Sequence, residues 1–280
     1  MKKKNIKSML FVPAHKESFL NKLDKSLSDA VVIDLEDAVP INKKNIARKN
    51  LEKINKSNFP KNLFARINNE PKNLLLDIIS CTKAKINSYV LPKIDNSNDV
   101  KIIEKKIKKY SKDKNINLFI LIESPAAIIN LKEICTSSKN IKGLIFGAED
   151  FLNNLNILEF YENTNINFPR SLIPIYAHAY NLNCIDTPYL NLTNINKFKH
   201  HLKISKSLGY TGLLNIHPKQ CPLTNQNYSP SINDYKIAKK ILKSNKSQKY
   251  QNQNISVLKN KLVGPPLIKR AKKIVDFFNE

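Results

Sequence analysis

Glu123 closes the apolar run FILIE, and Asp150 closes GLIFGAED. A carboxylate at the end of a buried run is costly unless a cation or a ligand meets it. If the two runs are neighbouring parallel strands, about 4.8 Å apart, both side chains reach one ion. Hard oxygen donors, with other positions left to water and substrate, suit Mg2+. A softer metal lacks ligands, because no histidine accompanies the pair. The competing role is local, with Asp150 capping the helix that begins at FLNNL and Glu123 pairing a lysine. Arg66 in FARIN raises a related question, since an arginine inside an apolar run wants a carboxylate from the protein or from a ligand. Asp34, Glu36 and Asp37, at the end of AVVIDLED, stand ready to orient it. A structural ion pair and a substrate clamp both remain open for Arg66. His217 in NIHPKQ is either a general base or, the reading preferred here, a strand-end histidine bonded to backbone.

These residues need a frame that brings strand ends together. Eight β-rich runs recur: 8–13, 30–37, 63–68, 88–93, 117–124, 141–150, 181–189 and 211–218. Their apolar centres are nearly continuous, as parallel strands covered on both faces require. Between them the periodicity is helical, as in Ile102, Ile103 and Ile107, or in Leu202, Ile204 and Leu208 ahead of Gly209. Ser124 followed by Pro125 reads as a helix start, and Ser231 with Asp234 as a capping box. Eight such units predict a (β/α)8 TIM barrel with a C-terminal helical lid segment. The runner-up, a doubly wound sheet, wants a glycine-rich turn after its first strand, and VPAHKE has none. In a barrel, the C-terminal strand ends form the active face. Read in order, they carry Lys16, then Asp34, Glu36 and Asp37, Arg66, Lys93, Glu123, Glu149 and Asp150, Asp186 and His217. The boundaries are a barrel over 1–242, a polar linker over 243–260 and a lid helix over 261–280.

Composition narrows the class further. The chain has 280 residues and a formal charge of +24, with 47 basic and 23 acidic side chains. Its lysines are spread over every helix with no aromatic interleaving, which argues against a nucleic-acid stripe. Abundant Asn and Ile beside scarce Gly fit codon drift, while an anionic ligand or acidic carrier remains compatible. The four cysteines, Cys81, Cys135, Cys184 and Cys221, form no CxxC pair and read as reduced, mostly buried thiols. No run is long enough for a membrane span and no secretory signal is evident, so the expectation is a cytoplasmic protein with no membrane or nucleic-acid partner.

Taken together, SMLFVPAHKESFL, AVVIDLEDAVP, FARIN, LPKI, LIESPAAI, GLIFGAEDF, CIDTPYLNL and LLNIHPKQCPLTNQNYSPS run in order across about residues 7–280. On these motifs the chain resembles the citrate lyase β-subunit-like family of the HpcH/HpaI aldolase superfamily. The resemblance implies a Mg2+-dependent carbon–carbon lyase acting on a β-hydroxyacyl thioester. Malyl-CoA, citramalyl-CoA and citryl groups on CoA or a carrier protein are the substrate types. It implies Mg2+ on Glu123 and Asp150, with Arg66 contacting substrate oxygens. The backbone of Gly147, Ala148, Glu149 and Asp150 would hold a keto-acid carboxylate. Lys16, aligned with an arginine of many relatives, would keep a positive charge for substrate or CoA. A homotrimer or hexamer is expected. One departure stands out: several relatives carry a lid aspartate where this chain has Gly264 in KLVGPP. Glu36 then becomes the candidate acid/base. The alternatives are a thioesterase or synthase on a similar thioester, or a carrier-binding subunit of a larger lyase.

Overall fold

The computed structural model describes residues 6–54, 62–111, 113, 115–157, 166–245, 256–258 and 261–279. Eight parallel strands close into a barrel in chain order. They are β1 (Ser8–Pro13), β2 (Ala30–Asp34), β3 (Asn62–Arg66), β4 (Ser88–Leu91), β5 (Asn117–Ile122), β6 (Ile141–Phe146), β7 (Asn183–Asp186) and β8 (Gly212–Asn215). β1 pairs with β2 on one side and β8 on the other, which leaves the barrel no free edge. The predicted (β/α)8 barrel is therefore the fold.

The strands form because their β-branched and aromatic runs bury on both faces. β2, β4, β7 and β8 are buried along their whole length. Alternate residues point inward, and the interior is filled by Met9, Val32, Phe64, Val90, Phe119, Leu121, Ile145, Ile185 and Leu214. Phe64 and Phe119 meet edge to face at 5.0 Å. The helices carry their own start signals. Glu70 accepts N–H bonds from Lys72 and Asn73 ahead of Pro71–Lys83, and Asn96 with Asp99 forms a capping box ahead of Ser97–Tyr110. Ser124 caps Pro125–Ile129, as the sequence suggests, but that helix breaks at Asn130 and resumes as Leu131–Thr136. Helix Ile195–Leu208 ends at Gly209, whose φ of 101° is a left-handed conformation that suits glycine.

The ladders stop earlier than the apolar runs suggest, so the charged residues after β2, β4, β5 and β6 begin the loops. At β4 the cause is plain: Pro92 has no N–H to extend the ladder. All four cysteines are buried, and none forms a disulfide among the described residues. No helix among the described residues is long and apolar enough to cross a membrane.

Contacts divide the chain into two compact units, 1–225 and 226–280. The sequence draws the barrel's end at 242, whereas helix Ile232–Asn245 groups with the C-terminal unit. Of the linker expected over 243–260, residues 246–255 and 259–260 lie outside the described residues, while Ser256–Leu258 pairs antiparallel with Lys261–Val263. Within that unit, Ala238, Ile241, Val263 and Ala271 form a small core covered by Leu242, Leu267, Ile268, Ile274 and Val275. The apolar stripe of helix Pro265–Asn279 is thus spent against its own unit.

Candidate active site

Register places the first pair. Asp34, last in β2, lies directly beside Arg66, last in β3. Both continue the inward parity of Val32 and Phe64, so both side chains rise into the barrel mouth. Arg66 donates through Nε to Asp34 Oδ1 at 2.8 Å and through Nη2 to Oδ2 at 2.5 Å. Its Nη1 faces Glu36 Oε2 at 3.2 Å. Asp34 and Glu36 are 1 % and 2 % exposed. Phe11 underlies the guanidinium, 5.3 Å from ring centroid to Cζ. Burial opposes the charge on Arg66, but Asp34 and Glu36 outweigh it and hold its pKa well above the ordinary value.

Glu123 follows β5 on the same parity, after Leu121. It is 3 % exposed, and its Oε1 accepts the backbone N–H of Lys93 at 2.5 Å. Burial pushes its pKa up to about 7, with Asp150 and Glu36 adding to the rise. Gly147 occupies the next inward position on β6. A Cβ there would come 2.8 Å from Glu123 Cβ and 3.0 Å from its Oε2, so glycine is what lets the carboxylate sit against β6. Asp150 lies in the first turn of helix Ala148–Asn154 and makes no side-chain cap there. The capping role weighed for it is not the one it plays. Asn154 steadies the pair's backbone, donating to the carbonyls of Glu123 at 3.1 Å and Asp150 at 2.8 Å.

A cavity of about 310 Å³ opens over these groups. Phe11, Asp34, Arg66, Gly147, Ala148, Glu149, Asp150 and Thr187 are among the residues that line it. Glu36 reaches it through Arg66. Lys16 is exposed just before helix Glu17–Leu20 and does not line the cavity. The amide of Gly147 donates to the Ile122 carbonyl at 3.0 Å, so it is spent on the barrel and not open to a ligand carboxylate. Ala148 N–H points to Thr187 Oγ1 at 3.4 Å. His217 accepts the Lys219 N–H through Nδ1 at 3.1 Å, in keeping with the backbone-bonded reading. Asp186 is held by Arg170, whose Nη2 donates to Oδ2 at 2.6 Å, and serves the scaffold.

Lys44 escapes sequence reasoning, and Lys93 shows there only as a charge at a strand end. Lys44 is buried and donates to the carbonyls of Leu35 and Glu36, both at 2.7 Å, and to Asn68 Oδ1 at 2.9 Å. It fixes the loop that carries Glu36, and burial holds its pKa down. Lys93 adopts φ 55°, a left-handed conformation that costs a non-glycine residue about 1–2 kcal/mol. Its ammonium reaches Glu36 Oε1 at 2.7 Å and Asp37 Oδ1 at 3.4 Å. Thr187, one residue past β7, and Phe11, inside β1, were not singled out, although strand parity points both inward.

Among the described residues, no group of three or more His, Cys, Asp or Glu forms a metal cage. What the mouth offers is a pair of acidic side chains, an arginine already oriented by two buried carboxylates, and an open cavity between apolar walls. Fold and site together define a TIM-barrel protein with a cavity at its C-terminal face that Asp34, Arg66, Glu149 and Asp150 line between apolar walls. The family pattern of HpcH/HpaI aldolase/citrate lyase matches residues 7–218, and the chain belongs to that family. It is 28 % identical to citrate lyase subunit beta of Haemophilus influenzae, over 96 % of each chain. It is 25 % identical to the mitochondrial citramalyl-CoA lyase of Homo sapiens, over 96 % of this chain and 84 % of that one. The CitE protein of Mycobacterium tuberculosis, solved in complex with magnesium, acetoacetate and coenzyme A, shares the fold. Its TM-score is 0.84 at 20 % identity, covering 99 % of each chain.

Proposed function

We propose that the protein is a Mg2+-dependent carbon–carbon lyase that splits a β-hydroxyacyl thioester by a retro-aldol or retro-Claisen step. The observation that carries this is the Arg66 fork, locked by Asp34 and Glu36 in register at the rim of the cavity that Asp150 also lines. The names of the relatives support the class, which spans citryl, citramalyl and malyl groups.

Glu123 and Asp150 suit a magnesium ion. Their donors are hard oxygens, Oε1 of Glu123 is already oriented by Lys93 N–H, and Asp150 raises the Glu123 pKa, a tension that a cation relieves. When bound, such an ion supplies Lewis-acid polarisation of the keto-acid oxygens. The chain's own groups do the rest. All three of Arg66's nitrogens face Asp34 and Glu36, which leaves two of its five N–H groups for a substrate oxygen that gains charge. Because the fork is fixed before substrate arrives, little reorganisation is needed at the moment of bond cleavage. Burial raises the Glu36 pKa against the pull of Arg66 and Lys93, which makes Glu36 a better proton carrier than an ordinary surface carboxylate. That fits the place left by Gly264. Phe11, Leu121, Phe146 and Leu214 keep the cavity walls apolar and strengthen each charge interaction inside.

The test is turnover of malyl-CoA, citramalyl-CoA and citryl-CoA, each also offered on a carrier protein, with Mg2+ and with a chelator. Metal-dependent release of a keto acid from at least one thioester is expected. Simple hydrolysis to the free acid and thiol would instead make the protein a thioesterase.

A further inference from the structure

The geometry points to Lys93 as a positioning residue that sets both halves of the candidate site, its backbone aiming Glu123 and its side chain aiming Glu36. The assignment rests on the lyase reading above and adds to it the device by which the metal half and the arginine half keep one geometry.

Lys93 follows β4, and each of its polar groups reaches a different strand end. Its N–H crosses to the residue after β5, Glu123 Oε1, at 2.5 Å. Its carbonyl accepts from Asn69 Nδ2, in the loop after β3, at 2.8 Å. Its ammonium reaches the loop after β2, where Glu36 Oε1 lies at 2.7 Å and Asp37 Oδ1 at 3.4 Å. The left-handed backbone at φ 55° makes this division possible. Pro92 before it has no N–H and a fixed φ, so the first amide available beyond β4 is that of Lys93. With φ positive, that amide bonds Glu123 while the side chain reaches the Glu36 loop. Glycine would adopt the conformation freely but would bring no charge. The residue found there bears the strain and supplies the ammonium. Glu36 in turn faces Arg66 Nη1 at 3.2 Å, so the ammonium also bears on the guanidinium.

The two roles separate by substitution. Lys93→Gly keeps the N–H and the positive φ and removes the ammonium. Lys93→Val, β-branched, resists positive φ and turns the amide away from Glu123. Lys93→Ala stands between, and Lys93→Arg restores a cation. Mn2+ binding to the full chain, read by electron paramagnetic resonance or calorimetry, should stay within about twofold of the unaltered chain in Lys93→Gly. It should weaken by about ten- to a hundred-fold in Lys93→Val, the loss usual when a ligand's orienting partner goes. Lys93→Ala should fall between, which keeps the order readable if the valine chain folds poorly. In turnover of citramalyl-CoA, Lys93→Gly should lower kcat about tenfold or more with KM changed less, and Lys93→Arg should recover most of it. Equal Mn2+ affinity across Gly, Ala and Val, or unchanged kcat in Lys93→Gly, would overturn the assignment. An unaltered chain that binds Mn2+ but cleaves no thioester defeats the lyase reading alone, and the Mn2+ series still decides the backbone role. An unaltered chain that binds no Mn2+ defeats both.

Discussion

At the scale of single residues, Arg66 decides how the site is to be probed. It bridges two buried carboxylates, and removing one partner of such a pair costs about 3–5 kcal/mol. That is a large share of the roughly 5–15 kcal/mol that holds a domain together. Arg66→Ala therefore mixes unfolding with lost chemistry. Arg66→Lys keeps the charge and loses the fork. We expect it to melt within a few degrees of the unaltered chain yet turn over about a hundred-fold more slowly, as loss of an oxyanion donor does. A large drop in melting temperature with normal specific activity would make the guanidinium structural only. Glu123 gives a second expectation. Its pKa of about 7 stands above the ordinary 4.5. The folded chain thus holds this proton more tightly than the unfolded one. The stability it contributes is complete below about pH 4.5 and is lost as pH rises through about 7. Melting of the metal-free protein should fall between about pH 5 and about pH 8. Glu123→Gln should flatten that slope, and Mg2+ should raise the melting temperature at the upper pH. Arg66, Glu123 and Asp150 were singled out because charges close nearly every apolar run and a barrel gathers those ends on one face. Lys44 was not, since one buried lysine is hidden among 47 basic residues, and Lys93 showed only as a strand-end charge, without its left-handed backbone.

At the scale of elements, the alternation of strand residues carries the site as well as the core. Val32 and Asp34, Phe64 and Arg66, Leu121 and Glu123, Ile145 and Gly147, and Ile185 and Thr187 each continue one inward row into the mouth. The sequence runs showed the strands in order, because β-branched centres separated by helical stretches have one common solution. They overran the strand ends, because an apolar run does not reveal where the last ladder bond falls. Gly147 marks the tightest join between rows. Gly147→Ala would drive a methyl to within 2.8 Å of Glu123 Cβ and 3.0 Å of Oε2, and Glu123 is the part able to move. The β6 backbone, bonded through Gly147 N–H to Ile122 O, is not. Because Glu123 Cβ is fixed to its backbone, the backbone at Glu123 must shift along with the carboxylate, and the variant should lose at least about tenfold in Mg2+ affinity while keeping the barrel's circular dichroism. Calorimetry of Mg2+ binding decides it, and unchanged affinity would place Glu123 away from the metal.

At the scale of the whole molecule, the C-terminal unit carries the question of assembly. The lid expected over 261–280 needs an apolar stripe on the last helix that has no place in the barrel. Leu267, Ile268, Ile274 and Val275 find that place on their own unit, around Ala238 and Ile241. The stripe therefore no longer argues for a neighbour. What remains outward are Ile232, Ile237, Phe277 and Phe278, which are 67 %, 46 %, 43 % and 38 % exposed. Deleting 261–280 alone would strip Ala238 and Ile241 of their cover and confuse assembly with misfolding. A chain ending at Ser229, ahead of Pro230, removes all but the first four residues of the unit and leaves all eight strands and their pairing intact. We propose that this unit closes the mouth of a barrel in a trimer or hexamer. The shortened chain should then keep the barrel's circular dichroism and its Mg2+ binding, because Glu123 and Asp150 lie within it. It should sediment as a smaller species and lose most turnover, because an open mouth admits water to the thioester enolate. A shortened chain with unchanged sedimentation class and unchanged kcat would show that residues 230–280 neither cover the site nor hold the assembly.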